Sequence, residues 1–356
     1  MNKKSILFTG GGTAGHVIVN LAVIPIFRRE GWEINYIGSK DGIERQLIEQ
    51  LDGVSYHSIS TGKLRRYMSK DNFKDPFKVI KGTMQAWRII GKSKPSIIFS
   101  KGGFVSVPVV LAAKVRRVPV VIHESDFTPG LANKIAIPFV KKVLATFPET
   151  MEYLPEQKAE YVGAVVRDEL FQGDKKKGLA FCGFTSNKPV LLIMGGSGGS
   201  KKINDSVRAS LDKLLPELQI IHVCGIGKTE PAYNGTGYAQ FEYANEELKD
   251  FFAATDFVLS RAGSNAIFEF LALKIPMLLI PLSKGSSRGD QIINANSFAE
   301  KKYARVMEEE ALTEETLVNE VLLLKEQALI MKTNMDSYQS EKAKERVVEI
   351  IKANSK

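Results

Sequence analysis

The chain has 356 residues, 44% hydrophobic and 25% charged. That globular balance excludes global disorder and predicts two domains or one large α/β unit. Only two cysteines occur, Cys182 and Cys224, which excludes a disulfide framework and a cysteine-based zinc site. The net charge of +9 is local: residues 61–101 hold 11 Lys/Arg against 2 Asp/Glu, an excess equal to that of the whole chain.

Lys3 and Lys4 precede only three apolar residues before a glycine cluster, too few for a signal peptide. The longest apolar stretches, 107–113 and 275–282, are about half of a membrane span and carry prolines. A cytoplasmic chain that does not cross a membrane is expected.

Residues 5–9 read as a strand, Gly10-Gly11-Gly12-Thr13-Ala14-Gly15-His16 as a loop and 17–29 as a helix. A strand at 34–37 follows, then the basic segment. There Phe73, Phe77, Ile80, Met84 and Trp87 recur close to the helical period, flanked by Lys74, Lys78 and Lys81. A basic helix with an aromatic stripe suits an anionic membrane surface or a partner, where each cation contributes about 1 kcal/mol; burial of the stripe in the core is the competing expectation. No nucleic-acid-binding motif is present. Strands at 96–100 and 119–123 come next, followed by Lys101-Gly102-Gly103-Phe104 and by Glu124-Ser125-Asp126. A linker is expected near 161–174.

The plan then restarts. Residues 189–194 read as a strand, Gly195-Gly196-Ser197-Gly198-Gly199-Ser200 as a loop and 201–215 as a helix. Further strands are expected at 220–224, 257–260 and 276–281, and a charged helical stretch at 314–356. Two series of alternating strands and helices predict an α/β fold of two Rossmann-like domains with parallel sheets facing across a cleft. The expected domains are 1–163, 164–340 and a C-terminal helix, 341–356, that returns to the first.

A glycine-rich turn between strand and helix lets backbone N–H groups approach an anion. Gly10, Gly12 and Gly15 match the dinucleotide fingerprint, but the second strand ends Gly38-Ser39-Lys40, without the acid that holds an NAD ribose. Ser39 and Lys40 leave an NADP-dependent oxidoreductase as an alternative. The 195–200 loop is not a P-loop, because Ser200 stands where that motif needs its second glycine, and it offers the Ser197 hydroxyl. Glu269 lies about one turn into a helix that Ser264 or Asn265 can cap. It reads either as a ribose ligand or as a solvated glutamate near the helix dipole. His16 is a candidate general base. Glu124 and Asp126 supply carboxylates at the end of a strand, for catalysis or for a structural corner.

In their order along the chain, these motifs resemble the MurG family of GT-B glycosyltransferases of peptidoglycan synthesis. The resemblance rests on Gly11-Gly12-Thr13-Ala14-Gly15-His16, on residues 101–108, on His123-Glu124, on Gly130-Leu131-Ala132-Asn133-Lys134, on Gly195-Gly196-Ser197, on Arg261-Ala262-Gly263 with Glu269, and on Asp290-Gln291 with Asn294-Ala295. It covers about residues 4–310. This chain departs from the family at Ala14, Asp126, Gly198 and Asp290, where Gly, Asn, Gln and Gln are frequent.

The resemblance implies an inverting hexosyltransferase that moves N-acetylglucosamine from UDP-N-acetylglucosamine to the muramyl 4-hydroxyl of the undecaprenyl-linked muramyl-pentapeptide. It implies that Ser197 contacts the diphosphate, Glu269 the ribose and the backbone near Asn245 the uracil. Arg167 would help to bind the donor, and Ser264 and Gln291 would approach the sugar. Thr13, Ala14, Gly15 and His16 face the acceptor, with His16 the expected base and Asp126 its alternate. Without a D-x-D motif, no metal or other cofactor is expected. The basic aromatic segment becomes a docking surface for the inner leaflet, which places the enzyme peripherally on the cytoplasmic face of the cell membrane. Wall-synthesis and division proteins are the implied partners. A GT-B transferase with another lipid acceptor and a UDP-N-acetylglucosamine epimerase are the nearest alternatives.

Overall fold

The computed structural model describes residues 4–62, 75–196, 198–233, 235–285, 289–338 and 342–356. The chain divides into two compact units: Met1–Val165 with Ser340–Lys356, and Val166–Gln339.

The first unit contains β1 (Ser5–Thr9), α1 (Ile18–Arg29), β2 (Glu33–Ser39), α2 (Ile43–Glu49), β3 (Val54–Ile59) and α3 (Asp75–Ser93). It continues with β4 (Ile97–Ser100), α4 (Ser106–Arg116), β5 (Val120–Glu124), α5 (Leu131–Ala136), β6 (Lys142–Ala145) and β7 (Ala159–Tyr161). Its sheet has the order β3-β2-β1-β4-β5-β6-β7, every pair parallel. Strands β1, β4 and β5 are buried along their whole length, because helices cover both faces of a parallel sheet. On one face Phe8 meets Phe27 and Phe99 edge-on, with ring centroids 5.9 and 6.0 Å apart. On the other, Leu7 and Ile98 pack with Val109 and Ile122. The helix expected from residue 17 starts at Ile18, because Ala14–His16 first close a 3-10 turn.

The second unit contains α6 (Lys175–Cys182), β8 (Val190–Met194), α7 (Lys201–Ala209), α8 (Leu211–Leu214), β9 (Gln219–Val223), β10 (Tyr238–Phe241) and α9 (Leu248–Ala254). Then come β11 (Phe257–Ser260), α10 (Ser264–Ala272), β12 (Met277–Leu279), α11 (Asp290–Glu300), β13 (Ala304–Val306) and α12 (Glu314–Met335). The sheet order is β10-β9-β8-β11-β12-β13, again all parallel. The single helix expected over 201–215 is broken at Ser210. Its hydroxyl donates back to the Ser206 carbonyl at 2.8 Å, a bond that competes with the helical ladder.

The helical stretch expected from residue 314 also divides. Helix α13 (Ala343–Ala353) leaves the second unit. Its Ala343, Val347, Val348, Ile350 and Ile351 join the first unit's core beside Val19, Val23 and Phe27. Arg346 pairs with Glu160 at 2.6 Å.

Each sheet has a point where the winding reverses, between β1 and β4 in one unit and between β8 and β11 in the other. Doubly wound sheets bind ligands outside the carboxyl ends of the strands at that point. Both predicted glycine loops stand there.

Candidate functional site

In the second unit, the 195–200 loop leaves β8 and turns into α7. Gly199 has φ +66°, and a Cβ there would stand 1.9 Å from the Cys224 carbonyl oxygen at the end of β9. Ser200 caps α7, accepting from the Ile203 N–H at 3.4 Å. Lys228 Nζ donates to the Gly198 carbonyl at 2.7 Å. Ser197 lies outside the described residues. Gly199→Ala is expected to destabilise the protein by about 2–4 kcal/mol, because clash and left-handed strain act together. Urea unfolding checks this, and donor binding is expected to fall with it.

Arg261, at the end of β11, is buried. It donates to the carbonyls of Ile280 and Pro281 at 3.0 and 3.3 Å, to Ser200 Oγ at 2.8 Å and to the Glu309 carboxylate. It therefore ties the loops after β8, β11 and β12 together. The next helix, α10, has Gly263 at its N-cap and no side-chain cap. Ser264 is thus its first residue, buried, and neither it nor Asn265 caps the helix as expected.

Glu269 lies in the second turn of α10 and is only 5% exposed, so it is not a solvated surface glutamate. Both its oxygens accept from Arg167, from Nε at 2.9 Å and from the guanidinium NH2 at 3.1 Å. Burial raises the Glu269 pKa, and the Arg167 charge opposes that rise. Arg167 and Glu269, 102 residues apart in sequence, thus form one bidentate unit. Gln291, in α11, accepts from the Leu282 N–H through Oε1 at 3.1 Å. Asn245 is exposed ahead of α9, its N–H donating to Glu247 Oε2 at 3.2 Å.

In the first unit, β1, β4 and β5 are neighbours, so the loops that follow them converge. Thr13 and His16 are joined by a hydrogen bond between Oγ1 and Nδ1 of 3.1 Å, and Ala14 and Gly15 share their turn. Gly103 has φ +82°, and a Cβ there would stand 2.1 Å from the Gly11 carbonyl oxygen and 3.2 Å from His16 Nδ1. Only glycine lets the β4 loop lie against the β1 loop. Lys101 is buried and donates to Ser125 Oγ. Burial lowers its pKa, and the Glu124 and Asp126 carboxylates work against that shift.

The two carboxylates after β5 behave differently. Glu124 is buried and accepts from the N–H groups of Asp126 and Gly130 and from Asn133 Nδ2, at 3.0, 2.9 and 2.8 Å. It forms a structural corner, with a pKa raised first by burial. Asp126 is half-buried in the loop that this corner shapes. The buried His123 has no hydrogen-bond partner on either ring nitrogen, and burial, then Lys101, hold it neutral. His222 is a core residue. It bonds Tyr238 and Asn204 at 2.8 and 3.0 Å, and burial, then Arg208, lowers its pKa to about 3.

Glu44, which belongs to none of the sequence motifs, lies buried beneath the first glycine loop. The available signal was an acid five residues beyond Ser39, close to where a dinucleotide fold carries its ribose ligand.

Helix α3 turns Gly82, Ala86 and Ile90 inward. Phe77, Ile80, Met84 and Trp87 are 73, 57, 53 and 41% exposed, so these four residues of the stripe are not core. Lys78 and Lys81 are exposed beside it. The Arg116 guanidinium stacks on the Trp87 ring at 3.6 Å and holds that indole in place. Phe73 and Lys74 lie outside the described residues. Among the described residues no helix is long and apolar enough to cross a membrane.

A doubly wound sheet occurring twice, each with a glycine loop at its switch point, is the architecture of a GT-B glycosyltransferase. The glycosyltransferase family 28 N-terminal domain matches residues 6–145, and the family 28 C-terminal domain matches residues 190–351. The chain is 69% identical over 350 residues to the UDP-N-acetylglucosamine--N-acetylmuramyl-(pentapeptide) pyrophosphoryl-undecaprenol N-acetylglucosamine transferase of Oceanobacillus iheyensis, covering 98% of each. It is 59% identical to the transferase of that name from Geobacillus thermodenitrificans, covering 94% of each. The crystal structure of MurG from Acinetobacter baumannii superposes with a TM-score of 0.77 at 23% identity, covering 98% of this chain and 99% of that one. The chain belongs to glycosyltransferase family 28, and within it to the family of these N-acetylglucosamine transferases.

Proposed function

We propose that the protein transfers N-acetylglucosamine from UDP-N-acetylglucosamine to the muramyl 4-hydroxyl of undecaprenyl-diphospho-muramoyl-pentapeptide, with inversion, to make the disaccharide lipid of peptidoglycan synthesis. The observation that carries this reading is the 69% identity with a curated transferase of that name, which spans both glycine loops.

In this reading the second unit binds the donor. The amides of the 195–200 loop and the start of α7, with Ser197, stabilise the diphosphate as UDP leaves. Glu269, oriented by Arg167, takes the ribose, and the backbone near Asn245 takes the uracil. Ser264 and Gln291 approach the sugar. The first unit binds the acceptor along Thr13, Ala14, Gly15 and His16. His16 removes the proton from the attacking hydroxyl, its ring oriented by Thr13, and Asp126 is the alternate base. The exposed stripe of α3 with Lys78 and Lys81 docks on the anionic inner leaflet, where the acceptor resides, so the enzyme works peripherally on the cytoplasmic face. Cell-wall and division proteins are the partners this reading implies.

Labelled UDP-N-acetylglucosamine and a short-chain lipid-linked muramyl-pentapeptide test the reading. Label in the lipid with equimolar UDP is the expected result. Binding of the UDP-sugar without transfer would redirect the search to other acceptors, and no binding would sink the donor assignment. His16→Ala is expected to lower kcat by about 10²–10⁴-fold, the range of a lost general base, while donor affinity stays unchanged. An equal loss of donor affinity would remove His16 from that role.

A further inference from the structure

The Glu44 carboxylate is enclosed by three donors. Oε2 accepts from the Gly12 N–H at 3.1 Å. Oε1 accepts from the Ser39 N–H and the Ser39 hydroxyl at 2.9 and 2.5 Å. Two glycines make room for it. A Cβ on Gly11 would stand 2.4 Å from the carboxyl carbon, and one on Gly42 would stand 2.2 Å from Oε2. The far side of the loop is held as well. Tyr36 donates to the Gly10 carbonyl at 2.7 Å, and Asn20 Nδ2 donates to the Tyr36 oxygen at 3.1 Å. Gly12 has φ +91°, and its amide is engaged by this internal anion. The loop whose glycines match the dinucleotide fingerprint is therefore already engaged at that amide by the protein's own carboxylate.

We infer that Glu44 is a positioning residue for the acceptor-side loop, its carboxylate fixing the Gly12 amide and thereby the turn that presents Thr13 and His16. The inference rests on the reading of that loop as the acceptor side. The chemistry requires a carboxylate rather than any polar group. Three donors converge on two oxygens, so replacing Oε2 by an amide NH2 sets a donor against the Gly12 N–H. Glutamine keeps the size and the contacts to Ser39 and loses the one bond that matters. The Gly12 bond is a charge-assisted hydrogen bond, and its loss corresponds to roughly a tenfold effect or more on the step it orients.

The test compares the full chain with its Glu44→Gln and Gly11→Ala variants. Acceptor kcat/KM is measured with the short-chain lipid acceptor, and UDP-N-acetylglucosamine affinity by direct titration. Gly11 has no positive φ, so an added methyl acts by displacing the Glu44 carboxyl while leaving its charge in the protein. Both variants are expected to lose about tenfold or more in acceptor kcat/KM, with donor affinity unchanged. Wild-type acceptor kinetics in Glu44→Gln would overturn the inference and leave the proposed function standing. So would a parallel loss of donor affinity, which would mark a general folding defect. Should Glu44→Gln fail to fold, Gly11→Ala decides alone: loss confined to the acceptor supports the inference, and normal kinetics overturn it. Absence of transfer by the unaltered protein would overturn both readings.

Discussion

Arg167→Ala is expected to destabilise the protein more than Glu269→Ala, and to do so more at neutral pH than near pH 5. Removing one partner of a buried pair leaves the other charge uncompensated, at up to about 3–5 kcal/mol. The two partners differ in access to water, with side-chain exposures of 24% for Arg167 and 6% for Glu269. The guanidinium left by Glu269→Ala can solvate, and the carboxylate left by Arg167→Ala cannot. Burial already raises the Glu269 pKa in the native state, and without Arg167 the rise is larger. A carboxyl whose folded pKa lies above its unfolded value holds its proton more tightly in the native state. Stability is therefore greatest at low pH and falls as pH rises from the ordinary carboxylate range through the folded value. Urea unfolding of both variants at pH 5 and pH 7.5 checks this. Equal losses at the two pH values, or a larger loss in Glu269→Ala, would contradict it. If Glu269 takes the ribose as proposed, both variants are expected to lose about 100-fold or more in UDP-N-acetylglucosamine affinity, one by removing the carboxylate and the other by releasing it from its orienting partner.

Lys78→Glu with Lys81→Glu is expected to weaken binding to anionic vesicles by roughly 2–4 kcal/mol, as two attractions of about 1 kcal/mol each become repulsions. Phe77→Ser removes the most exposed of the described stripe residues and is expected to weaken binding by about 1–3 kcal/mol through lost apolar burial. Salt separates the two effects. The lysine effect shrinks as ionic strength rises, and the phenylalanine effect persists. Activity on a soluble short-chain acceptor is expected to be unchanged in all three substitutions. Vesicle sedimentation across a salt series checks this, and unaltered binding by both variants would dismiss α3 as the docking face.

The elements legible in sequence were those with a local signature. Strands buried on both faces, such as β1 and β8, read as short apolar runs, and the glycines that follow them marked the switch points before any topology was visible. The stripe on α3 was legible as a period, although its exposure was not, because a core-facing and a membrane-facing stripe have the same spacing. Long-range partnerships left no such trace. Arg167 and Glu269 stand in separate motifs, and nothing in spacing joins two residues 102 positions apart. Glu44 escaped because its meaning lies in the Gly12 amide, 32 residues away. The break at Ser210 depends on one hydroxyl choosing a backbone carbonyl, a choice that helical periodicity does not encode.

The return of α13 to the first unit has a consequence for biosynthesis. The second unit is made from one uninterrupted stretch of chain, whereas the first stays short of five core side chains until residues 343–351 have been translated. Domains usually mature in order of synthesis, the earliest first. Here the unit begun first is completed last, and until then the apolar groove beside α1 that receives Val347, Val348 and Ile351 stays open in the nascent chain. Deleting residues 343–353 would therefore injure the unit built from residues 4–165 rather than the one that directly precedes them in the chain.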